Sequence, residues 1–123
     1  MATFTSVLLS GSSNGKPIAS TQIVGPGVTI HVPSTVAGTH DEVHLWAVNN
    51  STHDRLLTVE FGTTALKDNV TFTVPSTGQG AYAIIPGWRL TGSTNTVSAF
   101  AASSSSPGLM ILNGYVNRIS SAT

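Results

Sequence analysis

The chain has 123 residues and a formal net charge of zero, with five basic and five acidic side chains. This balance argues against binding to DNA, RNA or anionic lipid, because those partners require clusters of Lys and Arg. The absence of cysteine excludes disulfides, thiolate nucleophiles and cysteine zinc sites. What the chain has in quantity is Ser and Thr, 33 in total, interleaved with apolar residues in short runs.

Along the first half of the chain, apolar residues recur with a period of two, which predicts β-strands rather than helices. We expect strands at residues 4–10, 17–24, 28–32, 42–49 and 55–61. Gly, Pro and Asn residues predict the turns between them, most strongly at Asn14-Gly15, and residues 34–40 form a loop.

Successive side chains of a strand point to opposite sides. For two of these strands the sequence therefore predicts which side chains share a face. In strand 42–49 one face carries Val43, Leu45 and Ala47, and the other carries Glu42, His44, Trp46 and Val48. In strand 55–61 we expect Leu57, Val59 and Phe61 to point inward and Thr58 and Glu60 to point outward.

The second half of the chain continues the same pattern after a loop at residues 62–68. We expect strands at residues 69–74, 80–85, 96–102 and 110–119. Pro86-Gly87 is expected to end the strand at 80–85. Residues 88–90 lead to a tight corner at 91–93, and residues 103–108 form a flexible hairpin tip. The tail, from about residue 120 to 123, is expected to fray.

These elements predict a single all-β domain over residues 1–123 with eight to ten short antiparallel strands. Turn signals every 10–14 residues or so favour a β-sandwich, jelly-roll-like in architecture, and no amphipathic helix is expected. Strand order is not readable from alternation, so an immunoglobulin-like sandwich stays open. There is no apolar run of the length that a transmembrane helix needs, and we expect no signal peptide at the start.

The densest ionisable cluster is the run of residues 40–44, which contains two His and two acids. On a strand, Glu42 and His44 project from the same face and could share a metal, with His31 or His53 as the third ligand. The alternative is a polar loop entering a strand, and the histidine order of a cupin metal site is absent. We therefore expect no bound metal and no cofactor, with a weak metal at His44 and Glu42 left open.

Catalytic constellations are also lacking. The chain has five acids, of which Asp41 and Glu42 point to opposite faces, so no carboxylate pair is expected. There is no nucleophile elbow of the Gly-x-Ser-x-Gly type, and the adjacent His53 and Asp54 do not make a triad. We expect no catalytic residues, and the chain is predicted not to be an enzyme.

Surface recognition is what remains. Residues 81–85 read as a strand that is apolar on both faces, and a sandwich buries only one face of each strand, so the second face favours self-association. The candidate interface residues are Trp46, Tyr82, Ile84, Trp88, Arg89, Tyr115 and Arg118. The aromatic residues among them also leave open a platform for stacking on sugars.

Several segments resemble small virion proteins of tailed bacteriophages. They are VLLSGS at 7–12, NGKPI at 14–18, EVHLWAVN at 42–49, LTVEFG at 57–62 and GYVNRI at 114–119. Many proteins of that kind are capsid decoration or cement proteins. The resemblance implies a sandwich or jelly-roll protomer that forms homotrimers and clamps the major capsid protein, and it implies no catalytic or cofactor residues.

The sequence thus predicts a viral structural protein on the outer capsid surface of a virion, made in the host cytoplasm. Its expected partners are copies of itself and the major capsid protein, with no nucleic acid and no membrane. Residues 34–41 and 103–107 are the candidate contact loops. The alternative is a tail- or fibre-associated adaptor, or a receptor- or carbohydrate-binding β module.

Overall fold

A computed structural model describes residues 3–20, 25–76, 80–101 and 110–120. Within these ranges the chain forms nine strands and two short 3-10 turns, at Leu66–Asp68 and Ser93–Asn95. The strands are β1 (Thr3–Leu8), β2 (Ile18–Ala19), β3 (Val28–His31), β4 (Thr39–Asn49), β5 (Arg55–Phe61), β6 (Asn69–Val74), β7 (Tyr82–Leu90), β8 (Val97–Ala101) and β9 (Met110–Ser120). The prediction of an all-β fold is confirmed.

The strands form two antiparallel sheets that pack face to face. The first sheet has the order β1-β9-β4-β7, with the short β2 also paired to β9, and the second has the order β3-β8-β5-β6. Among the strands described, β1 and β2 are consecutive in sequence and lie in the same sheet, and so are β5 and β6. Every other pair of consecutive strands is divided between the two sheets. This alternation is the strand order of a jelly roll. The immunoglobulin-like order that the sequence left open is therefore excluded.

The space between the sheets is filled by one continuous apolar cluster. Strand β4 shows why, because its odd-numbered side chains are buried and its even-numbered ones are partly exposed along the whole strand. Val43, Leu45 and Ala47 lie in the core as predicted, opposite Leu57 and Val59 of β5. The alternation of β4 therefore fixes an inner and an outer side for the first sheet.

The course of β7 differs from the sequence prediction. The strand does not end at Pro86-Gly87 but continues to Leu90, paired with β4 on one side only. Because β7 is an edge strand, the N–H that proline lacks is not needed for a second ladder. Two register shifts in its pairing with β4 accommodate the irregular stretch.

Other boundaries agree closely with the predictions. Strand β5 has the predicted limits, while β4 begins at Thr39, three residues earlier than expected. The predicted hairpin tip at 103–108 and most of the frayed tail lie outside the described residues, as does the end of the predicted strand 17–24. None of the helices in the described ranges is long and apolar enough to cross a membrane.

Candidate functional site

Two predicted interface residues, Trp46 and Tyr115, come together on the side of the first sheet that faces away from the core. We call this the outer face; it consists of Phe4, Ser6, Leu8, His40, Glu42, His44, Trp46, Val48, Ile111, Asn113, Tyr115, Asn117 and Ile119. Phe4 is 70% exposed and Leu8 55% exposed, although both are large apolar side chains. The outer face is therefore a mixed surface on which the described chain leaves large apolar side chains exposed.

Three rings stand side by side near the middle of the outer face. The His44 and Tyr115 rings are nearly parallel with centroids 4.7 Å apart, since the two residues are directly opposite in the β4–β9 ladder. The Trp46 ring lies 5.9 Å from Tyr115. Trp46 and Tyr115, both candidate interface residues, are thus brought together, and Trp46 is not a core residue.

A polar group borders these rings. The Glu42 carboxylate lies 2.7 Å from His44 Nε2 and accepts a hydrogen bond from Asn117 Nδ2 at 3.3 Å. These bonds, from His44 first and then Asn117, hold the pKa of Glu42 below its ordinary value. The exposed Arg89 guanidinium lies 3.6 Å from the same carboxylate. Glu42 and His44 do share a face, as predicted, and they use it to pair with each other.

The candidate interface residues of β7 have three different environments. Tyr82 and Trp88 are both about half exposed, and the Trp88 ring stacks on Phe61 of the second sheet with centroids 4.8 Å apart. Ile84 is buried, and so is Ile85 beside it. Expecting Ile84 at an interface was wrong, because a register shift between Leu45 and Trp46 lets both isoleucines enter the core.

Arg118 does not offer a free charge either. Its Nε donates to Asp41 Oδ1 at 2.8 Å and its Nη2 donates to Oδ2 at 3.0 Å, across the β4–β9 ladder. Asp41 is fully buried, which by itself would raise its pKa, but hydrogen bonds from Arg118 and His31 outweigh burial and lower it. The same contact raises the pKa of Arg118. The carboxylate of this ion pair is buried, and the Arg118 side chain is about one-third exposed.

His31 completes that buried cluster, and this rules it out as a ligand beside Glu42. Its Nε2 lies 2.7 Å from Asp41 Oδ2, while Ser10 donates its backbone N–H to Nδ1 at 3.0 Å. Nδ1 is therefore the acceptor, and the N–H at Nε2 donates a hydrogen bond to Asp41 Oδ2. In the described ranges no three His, Cys, Asp or Glu side chains are grouped so as to hold a metal ion.

Glu60 is the second buried carboxylate, and its environment was not predicted. It points away from the core as expected, but only 1% of it is exposed because the segment 25–27 lies over it. Gly27 donates its N–H to Oε1 at 2.8 Å, and Ser98 donates its hydroxyl to the same oxygen at 3.2 Å. Oε2 has no hydrogen-bond partner among the described residues.

A partly open cavity of about 230 Å³ adjoins this carboxylate on the outward side of the second sheet. Its walls carry hydroxyls and glycines in addition to Glu60, contributed by Pro26, Gly27, Thr29, Gly62, Thr63, Thr64, Thr96 and Ser98. The segments involved are far apart in sequence, so no local motif could have revealed the cavity. The one sequence signal is a glutamate between two apolar residues, Val59 and Phe61, near the end of a mainly apolar strand.

Of the two candidate contact loops, the one at residues 34–41 is described in full. Residues 35–38 are exposed, but the predicted loop ends inside the fold, since Thr39 and Asp41 are buried in β4. Ser34 donates its N–H to Asp41 at 3.1 Å, which ties the start of this loop to the buried cluster. The other candidate loop, 103–107, lies outside the described residues.

Comparisons with known proteins return no family, no curated protein and no solved structure that matches this chain.

Proposed function

We propose that this chain is a homotrimeric decoration protein that binds the outer surface of a tailed-phage head and stabilises the lattice of the major capsid protein. The observation that carries the proposal is the outer face, where Phe4, Leu8 and Tyr115 are exposed on the same side of one sheet. Exposed apolar surface of this kind is typical of contacts with other protein chains.

The charge distribution supports the same function. The outer face has few charges, and its acid, Glu42, is already paired with His44 and Arg89. Copies of a chain with no net charge repel one another little, so they can pack closely. A protein that binds only the assembled lattice stabilises it by mass action, and three linked protomers strengthen binding through avidity.

Self-association is the first thing to test. We expect the purified chain, whose mass is 12.7 kDa, to behave as a trimer in light scattering coupled to size exclusion. Leu8→Glu should produce monomers, because a charge would then lie in the apolar contact. Leu56→Glu is the matched control, since Leu56 is 48% exposed on the second sheet, and it should remain trimeric.

Capsid binding is the decisive measurement. Purified protein added to expanded capsids that lack it should bind in a fixed ratio to capsid subunits and raise the melting temperature of the shell. A trimer that neither binds nor stabilises the shell would contradict the decoration proposal, and a monomeric wild-type chain would contradict the use of the outer face. The Leu8→Glu protein should bind more weakly than the Leu56→Glu protein.

A second candidate function is carbohydrate binding, which the ring group of the outer face favours. Trp46 stacks with Tyr115, and Tyr115 is next along this side of the ladder to the hydrogen-bonded pair of Glu42 and Asn117, so rings and polar groups suited to a sugar lie on one face. Tyr82 and Trp88 do not form such a platform, since six residues of one strand separate them by roughly 20 Å.

This candidate predicts that host glycans quench tryptophan fluorescence in a saturable manner. Tyr115→Ala should abolish the quenching, while Tyr82→Ala, which removes an exposed ring of similar size outside the group, should leave it unchanged. Equal effects of the two substitutions would contradict a glycan site on the outer face.

A further inference from the structure

The Glu60 cavity lies on the opposite sheet from the outer face and is not needed for the function proposed above. Its central feature is an asymmetry within one carboxylate. Oε1 accepts two hydrogen bonds, from Gly27 N–H and Ser98 Oγ, whereas Oε2 has none among the described residues although it is buried. A buried carboxylate oxygen without a donor or a counter-charge is costly, so its retention needs an explanation.

None of the ion pairs formed by Lys or Arg in the described ranges involves Glu60. All five Lys and Arg residues lie in the described ranges, and the ion pairs found there join Lys67 to Asp68, Arg89 to Glu42 and Arg118 to Asp41. Arg55 is on the same strand as Glu60 but at its opposite end. The negative charge at Glu60 is therefore not balanced by an ion pair within the described chain.

The backbone around Glu60 keeps this carboxylate covered at the edge of the cavity. A Cβ at Gly25 would lie 2.6 Å from Oε2, and a Cβ at Gly27 would overlap the backbone of Ala99. Glycine at both positions lets the covering segment lie against the carboxylate. The cavity of about 230 Å³ beside it far exceeds the roughly 10–15 Å³ that one water molecule needs.

The chemistry of the walls selects among cations. Divalent metals collect six or more oxygens and several charges, but the cavity offers a single carboxylate, with one oxygen already occupied. A guanidinium group prefers to engage both oxygens of a carboxylate at once, and Oε1 already accepts two bonds. An ammonium group has three donors and one positive charge, which matches Oε2 together with neutral hydroxyl oxygens such as that of Thr64.

We propose that the Glu60 cavity is a binding site for a primary ammonium group, presented as a lysine side chain by a protein partner. The ammonium donates to Oε2 and to threonine hydroxyls of the wall, and the methylene stem fills the rest of the cavity. Because Oε2 exposes almost no surface, binding displaces the small groups beside it, Gly25 and Thr64. The site lies within one chain and does not depend on a capsid, so a small primary ammonium ion can probe it on the free chain.

The test uses n-butylammonium as the probe, n-butanol as an uncharged probe of the same shape, and sodium, potassium and calcium chloride as inorganic cations. Amide chemical shifts of Gly25, Gly27 and Ser98 report binding. We expect saturable shifts with n-butylammonium, none with n-butanol, and at least tenfold weaker binding in Glu60→Gln. Asp54→Asn, which alters an exposed carboxylate just before β5, should bind like the wild type.

Several outcomes overturn the proposal. They are the absence of saturable shifts with n-butylammonium, equal binding to Glu60→Gln, and equal shifts with n-butanol or with an inorganic cation. If Glu60→Gln does not fold, the comparison of n-butylammonium with n-butanol on the wild type still decides. The same amide shifts are also measured while the protein alone is concentrated. If they appear then, and vanish in a Lys16→Gln, Lys67→Gln double variant, the lysine comes from a second copy of this chain. That result would overturn the proposal that a different protein supplies it.

Discussion

Asp41 and Glu60 are two buried carboxylates in the same small sandwich, and their surroundings are opposite. Both oxygens of Asp41 are bonded, with Arg118 on each and His31 and Ser34 on Oδ2. Glu60 has donors on Oε1 only. The two carboxylates are equally buried but have different roles. Asp41 links β3, β4 and β9 into one unit, whereas Glu60 has an oxygen without a donor, which we propose binds a group from outside the chain.

The two sites should differ most in how the free energy of unfolding changes when the carboxylate charge is removed. Asp41→Asn takes the counter-charge from Arg118 and an acceptor from His31, and it should lower the free energy of unfolding by about 3 kcal/mol. Urea denaturation measures this directly. The exposed Asp54→Asn should change it by less than about 0.5 kcal/mol, and a similarly small effect of Asp41→Asn would show that the buried cluster is not a structural link.

The pH dependence of the free energy of unfolding should identify the contribution of the Asp41 cluster. The pKa of Asp41 is lowered in the folded state from an ordinary value of 3.8. Its contribution to stability is therefore complete well above pH 3.8 and is lost as pH falls through the lower folded-state pKa. The stability difference between wild type and Asp41→Asn should be constant above about pH 5 and shrink below pH 3.8. A difference that stays constant down to pH 2 would contradict the assignment.

The smallest effect, and the one with the opposite sign, is expected at Glu60. Glu60→Gln keeps an oxygen for Gly27 and Ser98 and removes a buried charge that has no counter-charge. The free energy of unfolding should therefore stay the same or rise by up to about 1 kcal/mol. Thermal unfolding in a buffer free of amines measures this. A loss comparable to that of Asp41→Asn would mean that the two carboxylates do not differ as described.

Much of the sandwich could be predicted because its strands alternate cleanly. In β4 each odd-numbered residue is buried and each even-numbered one is not, so sequence and structure agree on both faces. The same reasoning was wrong for Ile84, because a local register shift sends two neighbouring residues to the same side. Alternation predicts a face only where the strand is regular.

The two carboxylate sites could not be predicted because they depend on long-range packing. Asp41 and Arg118 are separated by 77 residues and meet only because β4 pairs with β9. Glu60 occupies the outward position that alternation assigned to it, yet a loop from 33 residues earlier in the chain covers it. Alternation assigns a side chain to one side of a sheet, and it carries no information about what later covers that side.

Pro86 in β7 has a consequence for how copies of this chain can meet. An edge strand normally presents a row of free N–H and C=O groups to which another chain can add as a further strand. In β7 the proline removes one donor and two register shifts break the spacing, so strand addition at this edge is discouraged. A chain without net charge has little repulsion to prevent it from polymerising into fibres when crowded. Of the surfaces beside β7, the strand edge is therefore the less suited to contact with another copy, and the exposed side chains of the outer face are the more suited.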